Sequence, residues 1–256
     1  MGMARPAGDP VAIVTGGGRG IGQAIGRALA ADGFRVALVD LNGQAAKAAA
    51  QELRANGAVD ALAYHADVRE YARAQEVVAD LLARFGRVDA LVNNAGIASP
   101  KPFTELTEAD WDLIVGVHLK GSFNWSHAVA PSMLAAGWGR IVCISSMNAK
   151  HGGAFPALSK TAYAAAKAGM LGMIRGLARD LAPAVTANAI CPGLIETELS
   201  AAMWEGEKGT AVVAAIPAGR LGRPEDIADA AAFLISERAG YITGEALDVN
   251  GGVYID

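Results

Sequence analysis

Two periodicities alternate along the chain. Short apolar runs rich in β-branched residues recur at Val11–Thr15, Arg35–Asp40, Val59–His65, Val88–Asn93, Arg140–Ser145, Val185–Ile190 and Ala246–Val249. Each has the length and continuous hydrophobicity of a strand buried on both faces. Between them lie Ala-rich stretches of helical period: Gly20–Asp32, Gly43–Ala55, Arg69–Phe85, Glu108–Ala136, Thr161–Leu181 and Pro224–Ile235. Pro224 at a helix start, and Gly33 and Gly57 just past helix ends, obey the positional asymmetry of these two residues. Strand and helix in alternation predict repeated βαβ units, and hence an α/β, Rossmann-type doubly wound fold on a seven-stranded parallel sheet. No internal repeat or low-complexity linker interrupts the pattern, so residues 1–256 are expected to form one domain. The stretch Gly193–Arg220, which follows the sixth strand with mixed small, acidic and aromatic residues, fits neither period. Open α/β sheets bind ligands beyond the carboxyl ends of their strands, so this stretch is a candidate lid, with Met203 and Trp204 over the substrate.

Composition narrows the class. The residues are 52% hydrophobic and 19% charged, enough for a sizeable core. Cys143 and Cys191 each sit inside an apolar run and read as buried thiols in a reducing compartment. Twenty-two basic and 26 acidic residues leave a scattered net charge of −4, with no stripe for nucleic acid and no polybasic patch for a membrane. The N-terminal segment has no hydrophobic core of a signal peptide, no apolar run is long enough to span a bilayer, and a cytoplasmic location is expected. His65, His118, His127 and His151 show no ligand spacing, so no metal is expected.

Candidate chemistry begins directly after the first strand, in Thr15-Gly16-Gly17-Gly18-Arg19-Gly20-Ile21-Gly22. Glycines let a backbone approach a pyrophosphate, and the helix that follows offers unpaired N–H groups and the positive end of its dipole. The spacing is Gly16-x-x-x-Gly20-x-Gly22 and departs from the strict G-x-G-x-x-G. Asp40 closes the second strand, with Leu41 next to it; an acid there can bind ribose hydroxyls and repel a 2′-phosphate, which prefers NAD, while Arg19 pulls toward NADP, which is not excluded. Tyr163 and Lys167, four residues apart, share one helix face, and an ammonium there is expected to lower the phenol pKa toward neutrality for general acid/base work. Ser146 ends the fifth strand, where its hydroxyl could hold a substrate oxygen.

Together these residues resemble the short-chain dehydrogenase/reductase family, in its short one-domain branch, from Val11 to Gly252. The resemblance rests on Thr15 to Gly22, Asp67-Val68, Asn93-Asn94-Ala95-Gly96, Ser146, Tyr163, Lys167, and Pro192-Gly193 leading to Thr197. It implies that Asp67 and Val68 face the adenine, that Asn93 to Gly96 steady the sheet beside the cofactor, and that Ile195 and Thr197 hold the nicotinamide carboxamide. It also implies a homotetramer, with Gly251 and Gly252 in a C-terminal turn that commonly packs in it. The chain departs from the family twice. His118, in Val117-His118-Leu119-Lys120-Gly121, stands where an Asn is usual, and its backbone carbonyl could still hold a relay water. The gap from Ser146 to Tyr163 is 17 residues, longer than is common, and the extra length is expected to enlarge the substrate wall with Asn148, His151 and Phe155.

The function expected is NAD(P)-dependent interconversion of a secondary alcohol and a ketone, with Tyr163 as acid/base, Ser146 as oxygen ligand and Lys167 on the nicotinamide ribose. The intact Ser/Tyr/Lys set disfavours a catalytically inactive nucleotide-binding protein, and the chain has little room for the added substrate domain of epimerases and dehydratases. Ketoacyl reductases acting on acyl carrier protein usually carry docking bases before the fifth strand and after the fifth helix. Here Met133–Trp138 and Ala182–Ala184 carry none, so a small polyol, sugar or hydroxy acid is preferred over a 3-oxoacyl thioester on acyl carrier protein or CoA.

Overall fold

In the computed structural model, which describes residues 5–152, 161–198, 200 and 206–255, the seven runs form a single parallel sheet. Its strands are β1 (Val11–Thr15), β2 (Arg35–Asp40), β3 (Ala61–His65), β4 (Ala90–Asn93), β5 (Gly139–Ile144), β6 (Val185–Pro192) and β7 (Ala246–Val249), in the order β3-β2-β1-β4-β5-β6-β7. The order reverses between β1 and β4, which pair in register from Ala12↔Ala90 to Val14↔Val92. Such a switch point opens a crevice at the carboxyl ends of the two strands. Strands β1, β4, β5 and β6 are buried along their whole length, which explains their unbroken apolar sequence.

Helices cover both faces. On one side α1 (Gly20–Ala31), α2 (Gly43–Ala55) and α9 (Pro224–Ile235) bury Ile25, Leu29, Leu53, Ile227 and Leu234 against the sheet. On the other, α3 (Tyr71–Phe85), α5 (Gly121–Ala136) and α7 (Thr161–Asp180) bury Leu81, Trp125, Met133, Met170 and Ile174. Each large side chain contributes about 1.5–3 kcal/mol of transfer free energy. Among the described residues no helix is long and apolar enough to cross a membrane.

Three features go beyond the expected pattern. Glu108–Ala136 is not one regular helix: α4 (Glu108–Val115) runs into a π turn at Gly116–Lys120 before α5 resumes. A π turn accommodates one extra residue without breaking the helix, so the apolar period reads through it. The residues after Ser146 form a short helix, α6 (Asn148–His151). The stretch Gly193–Arg220 has more structure than its composition suggests. It contains α8 (Gly206–Ala214), Ile195 pairs with Gly222 at its base, and the Ala218 N–H donates to Gly251 O at 3.0 Å. Met203, Trp204 and Phe155 lie outside the described residues.

Candidate active site

The glycine turn is held by its own main chain and by one neighbour across the switch point. Asn94 Nδ2 donates to Thr15 O (3.0 Å) and Gly16 O (3.1 Å), while Thr15 Oγ1 accepts the N–H groups of Asn94 (3.0 Å) and Ala95 (3.1 Å). The Asn94 amide is thereby engaged with the turn itself. A Cβ on Gly22 would lie 2.1 Å from Gly16 O, so nothing larger fits where the helix folds back on the turn. Helix α1 has no side-chain cap, since the exposed Arg19 at its N-cap position has no acceptor to offer, and its first turn carries no acid. Its first N–H groups have no side-chain acceptor from the cap, and Gly20, Ile21 and Gly22 form that end.

Asp40 points back toward this turn. Its carboxylate accepts the Gly18 N–H at 3.0 Å and the Asn42 N–H at 2.8 Å, and Leu41 beside it is 66% exposed. After β3, Asp67 is paired with Arg69 (2.6 Å), whose hydrogen bonds hold its carboxyl below the usual carboxylate range. Val68 is buried against Gly121, and Asn124 Nδ2 fixes the carbonyls of Val68 and Arg69, each at 3.0 Å. After β6, the chain passes through Pro192 and Gly193 to a turn that Ser200 ties together. Ser200 Oγ donates to Ile195 O at 2.9 Å and accepts the Thr197 N–H at 2.9 Å, and Thr197 lies over Gly20. Ser200 carries no motif of its own in the sequence, and only the fold reveals its task.

Ser146, Tyr163 and Lys167 come together at the carboxyl end of β5. Ser146 Oγ accepts the Asn148 N–H at 3.1 Å and is hydrogen-bonded to Tyr163. Lys167, 3% exposed, donates to Ile144 O at 2.6 Å, and its Nζ sits 5.5 Å from the Tyr163 ring centre. Ser145 Oγ donates to Lys167 O at 3.0 Å, which ties α7 to the strand. The expectation that Lys167 draws the phenol pKa down is not met. Burial pushes Tyr163 up, with the Ser146 hydrogen bond as the opposing influence, and burial pulls Lys167 down to about 8. The ammonium is turned to the strand carbonyl, and desolvation disfavours the charged form of each group. Burial therefore favours the protonated form of the phenol.

His118 lies in the π turn, 1% exposed, with its ring edge-to-face to Tyr163 at 5.0 Å. Its backbone carbonyl accepts Ser122 Oγ at 2.6 Å. His151 turns its ring to Tyr254 at 5.6 Å, and Lys150 beside it pairs with Asp248 at 2.6 Å, so this helix face meets the C-terminal segment.

A family model described as "Enoyl-(Acyl carrier protein) reductase" matches residues 16–254. The chain is 42% identical over 245 residues to the acetoacetyl-CoA reductase of Rhizobium meliloti (strain 1021), covering 95% of this chain and 98% of that protein. It is 39% identical over 246 residues to the 3-oxoacyl-(acyl-carrier-protein) reductase FabG of Escherichia coli (strain K12), covering 96% and 97%. The crystal structure of gox2181 superimposes with a TM-score of 0.90 at 36% identity, over 96% of each chain.

Proposed function

The chain belongs to the short-chain dehydrogenase/reductase family and is an NAD(P)-dependent oxidoreductase of the CH–OH/carbonyl pair; from that premise we propose that it reduces the 3-oxo group of a coenzyme A thioester. The observation that carries the proposal is Tyr163 bonded to Ser146, with Lys167 Nζ 5.5 Å from its ring centre, beside a glycine turn with an open helix N-terminus. Two relatives are named for 3-oxoacyl thioesters, which reverses the ranking that placed polyols, sugars and hydroxy acids first. The missing docking bases, held above against every carrier-linked substrate, argue only against a protein carrier. At those places Trp138 and Ala184 are buried, and neither segment offers a cation.

The residues fit a nicotinamide dinucleotide, because the glycines let the turn pack closely on itself and on α2 while helix α1 presents its uncapped N–H groups there. Thr15–Gly22, Asp40, Leu41, Asp67, Val68, Asn94–Gly96, Tyr163, Lys167, Pro192, Gly193, Ile195 and Thr197 would hold it. When bound, it supplies the hydride. Tyr163 Oη–H then donates its proton to the carbonyl oxygen, and the Ser146 hydroxyl orients that oxygen. Lys167, largely charged below its pKa of about 8, would hold the nicotinamide ribose from its seat on Ile144 O. Asp40 favours NADH through repulsion of a 2′-phosphate. The homotetramer and the cytoplasmic location are further parts of this reading; light scattering at four chain masses tests the first.

The test follows NADH and NADPH oxidation with acetoacetyl-CoA, the same acyl group on acyl carrier protein, and ketones related to polyols, sugars and hydroxy acids. The largest kcat/KM is expected for the CoA thioester with NADH. A larger value on the carrier protein overturns the choice of carrier, and a larger value for a polyol- or sugar-derived ketone restores the earlier ranking. Absence of turnover on the whole panel favours an inactive nucleotide-binding protein.

A further inference from the structure

The amino edge of the sheet, opposite the edge that carries Ser146, holds a buried cation that no carboxylate pairs with among the described residues. Arg140, near the start of β5, is 4% exposed. Its guanidinium lies on the Trp138 ring at 3.6 Å and Nη1 donates to Gly139 O at 3.0 Å, but Nε has no hydrogen-bond partner. Thr186 faces it in register on β6, is 8% exposed, and its Oγ1 is likewise without a partner. Register partners in a parallel ladder point to the same face, and here it is the face under α9, where Val142, Ile144 and Ile190 continue the two rows. The polar groups around them are spent elsewhere. Asn188, next on that face of β6, donates to Ile242 O at 2.9 Å and accepts the Glu245 N–H at 3.1 Å. Asp89 is taken by Arg87 at 2.5 Å and by the Val11 N–H at 2.8 Å. Glu237, on the turn after α9, favours the charged guanidinium but gives Oε1 to the Arg5 N–H at 3.3 Å.

A buried charge needs an opposite charge beside it, and a water molecule supplies none. We propose that Arg140 Nε–H and the Thr186 hydroxyl form the seat of a small monovalent anion, a halide such as chloride, between β5, β6 and the turn that follows α9. Nε–H and O–H are both donors, and an ion that only accepts takes both. The Trp138 stack holds the guanidinium plane and Gly139 O holds one of its nitrogens, so Nε is presented without reorganisation. Gly240 borders the same group, since a Cβ there would lie 3.8 Å from Nη2. Burial pulls the Arg140 pKa down to about 10, which still leaves a cation at neutral pH. The ion neutralises it and ties β5 to β6 at the edge opposite the glycine turn.

The test needs no turnover and is independent of the reductase reading. Thermal melts follow wild type, Thr186→Val and Arg140→Met as sodium chloride replaces sodium gluconate, up to about 100 mM at constant ionic strength. A saturable rise in Tm of about 5 °C is expected for wild type. Less than half of it should remain in Thr186→Val, which keeps the β-branched shape, and none in Arg140→Met. No rise in wild type, or an equal rise in Thr186→Val, overturns the proposal. Should Arg140→Met fail to fold, wild type against Thr186→Val decides alone. Crystals soaked in sodium bromide supply a second arm, with an anomalous peak expected within about 3.5 Å of Arg140 Nε and Thr186 Oγ1. A water at that point, or the Glu237 carboxylate turned into it, overturns the proposal. A bromide peak without a chloride-dependent Tm marks an adventitious ion only and overturns it as well.

Discussion

The two halves of the sheet's carboxyl edge are built by different means. On the β1/β4 side the site is main chain: glycines at close approach, an uncapped helix end, and short polar clamps from Thr15, Asn94 and Asp40. On the β5/β6 side it is side chain: Ser146, Tyr163, Lys167 and His118 converge from a strand end, a long helix and a π turn. A pyrophosphate is the same in every dinucleotide, so a backbone cradle suits it. Proton transfer needs one group at one place, which calls for locked side chains. Damage to the first half should therefore appear as lost cofactor affinity, and damage to the second as lost turnover.

Tyr163→Phe gives the sharpest separation. It removes the proton and keeps the ring against His118, so kcat should fall about 10²-fold or more while NADH affinity holds, as steady-state rates and fluorescence titration will show. A parallel loss of affinity would blur the division. Gly22→Ala tests the other half. With a Cβ 2.1 Å from Gly16 O, the turn must shift, and cofactor Kd should rise roughly tenfold with a much smaller change in kcat at saturation. The smallest expected effect is on stability. Lys167 has a folded pKa of about 8 against 10.5 unfolded, so between these values the unfolded chain binds more protons and stability rises with pH. Below pH 8 the buried charge is a constant burden. Lys167→Met at pH 7 should therefore gain about 1 kcal/mol, after the lost bond to Ile144 O, and abolish turnover. Thermal melts at pH 7 and 10 check it, because the gain should shrink at the higher pH.

The two halves also differ in how well the sequence announces them. The glycine turn, Asp40 and the seven strands are legible because each depends on residues near in sequence, whose period and spacing carry the information. Tyr163 and Lys167 are legible as a pair for the same reason. What Lys167 does is not, because its partner is the Ile144 carbonyl, 23 residues away. The direction of the Tyr163 shift follows from burial, which no spacing encodes. The π turn hides because Val117, His118 and Leu119 continue the helical pattern on either side of it. Ser200 hides because a serine in a small-residue stretch has no signature until Ile195 and Thr197 fold around it.

The wide turn at Gly116–Lys120 also has a genetic consequence. A helix that carries one residue more than its hydrogen-bond ladder requires can lose one and heal into an ordinary α-turn. Beyond the lesion, Trp125, Val129 and Met133 would keep their mutual spacing and their seat in the core. The imidazole would instead swing about the helix axis, away from Gly96 and Tyr163. An in-frame deletion of one codon there is thus a mutation to which the architecture is nearly indifferent and the chemistry is not, so lineages of this fold can change what the site does through chain length alone.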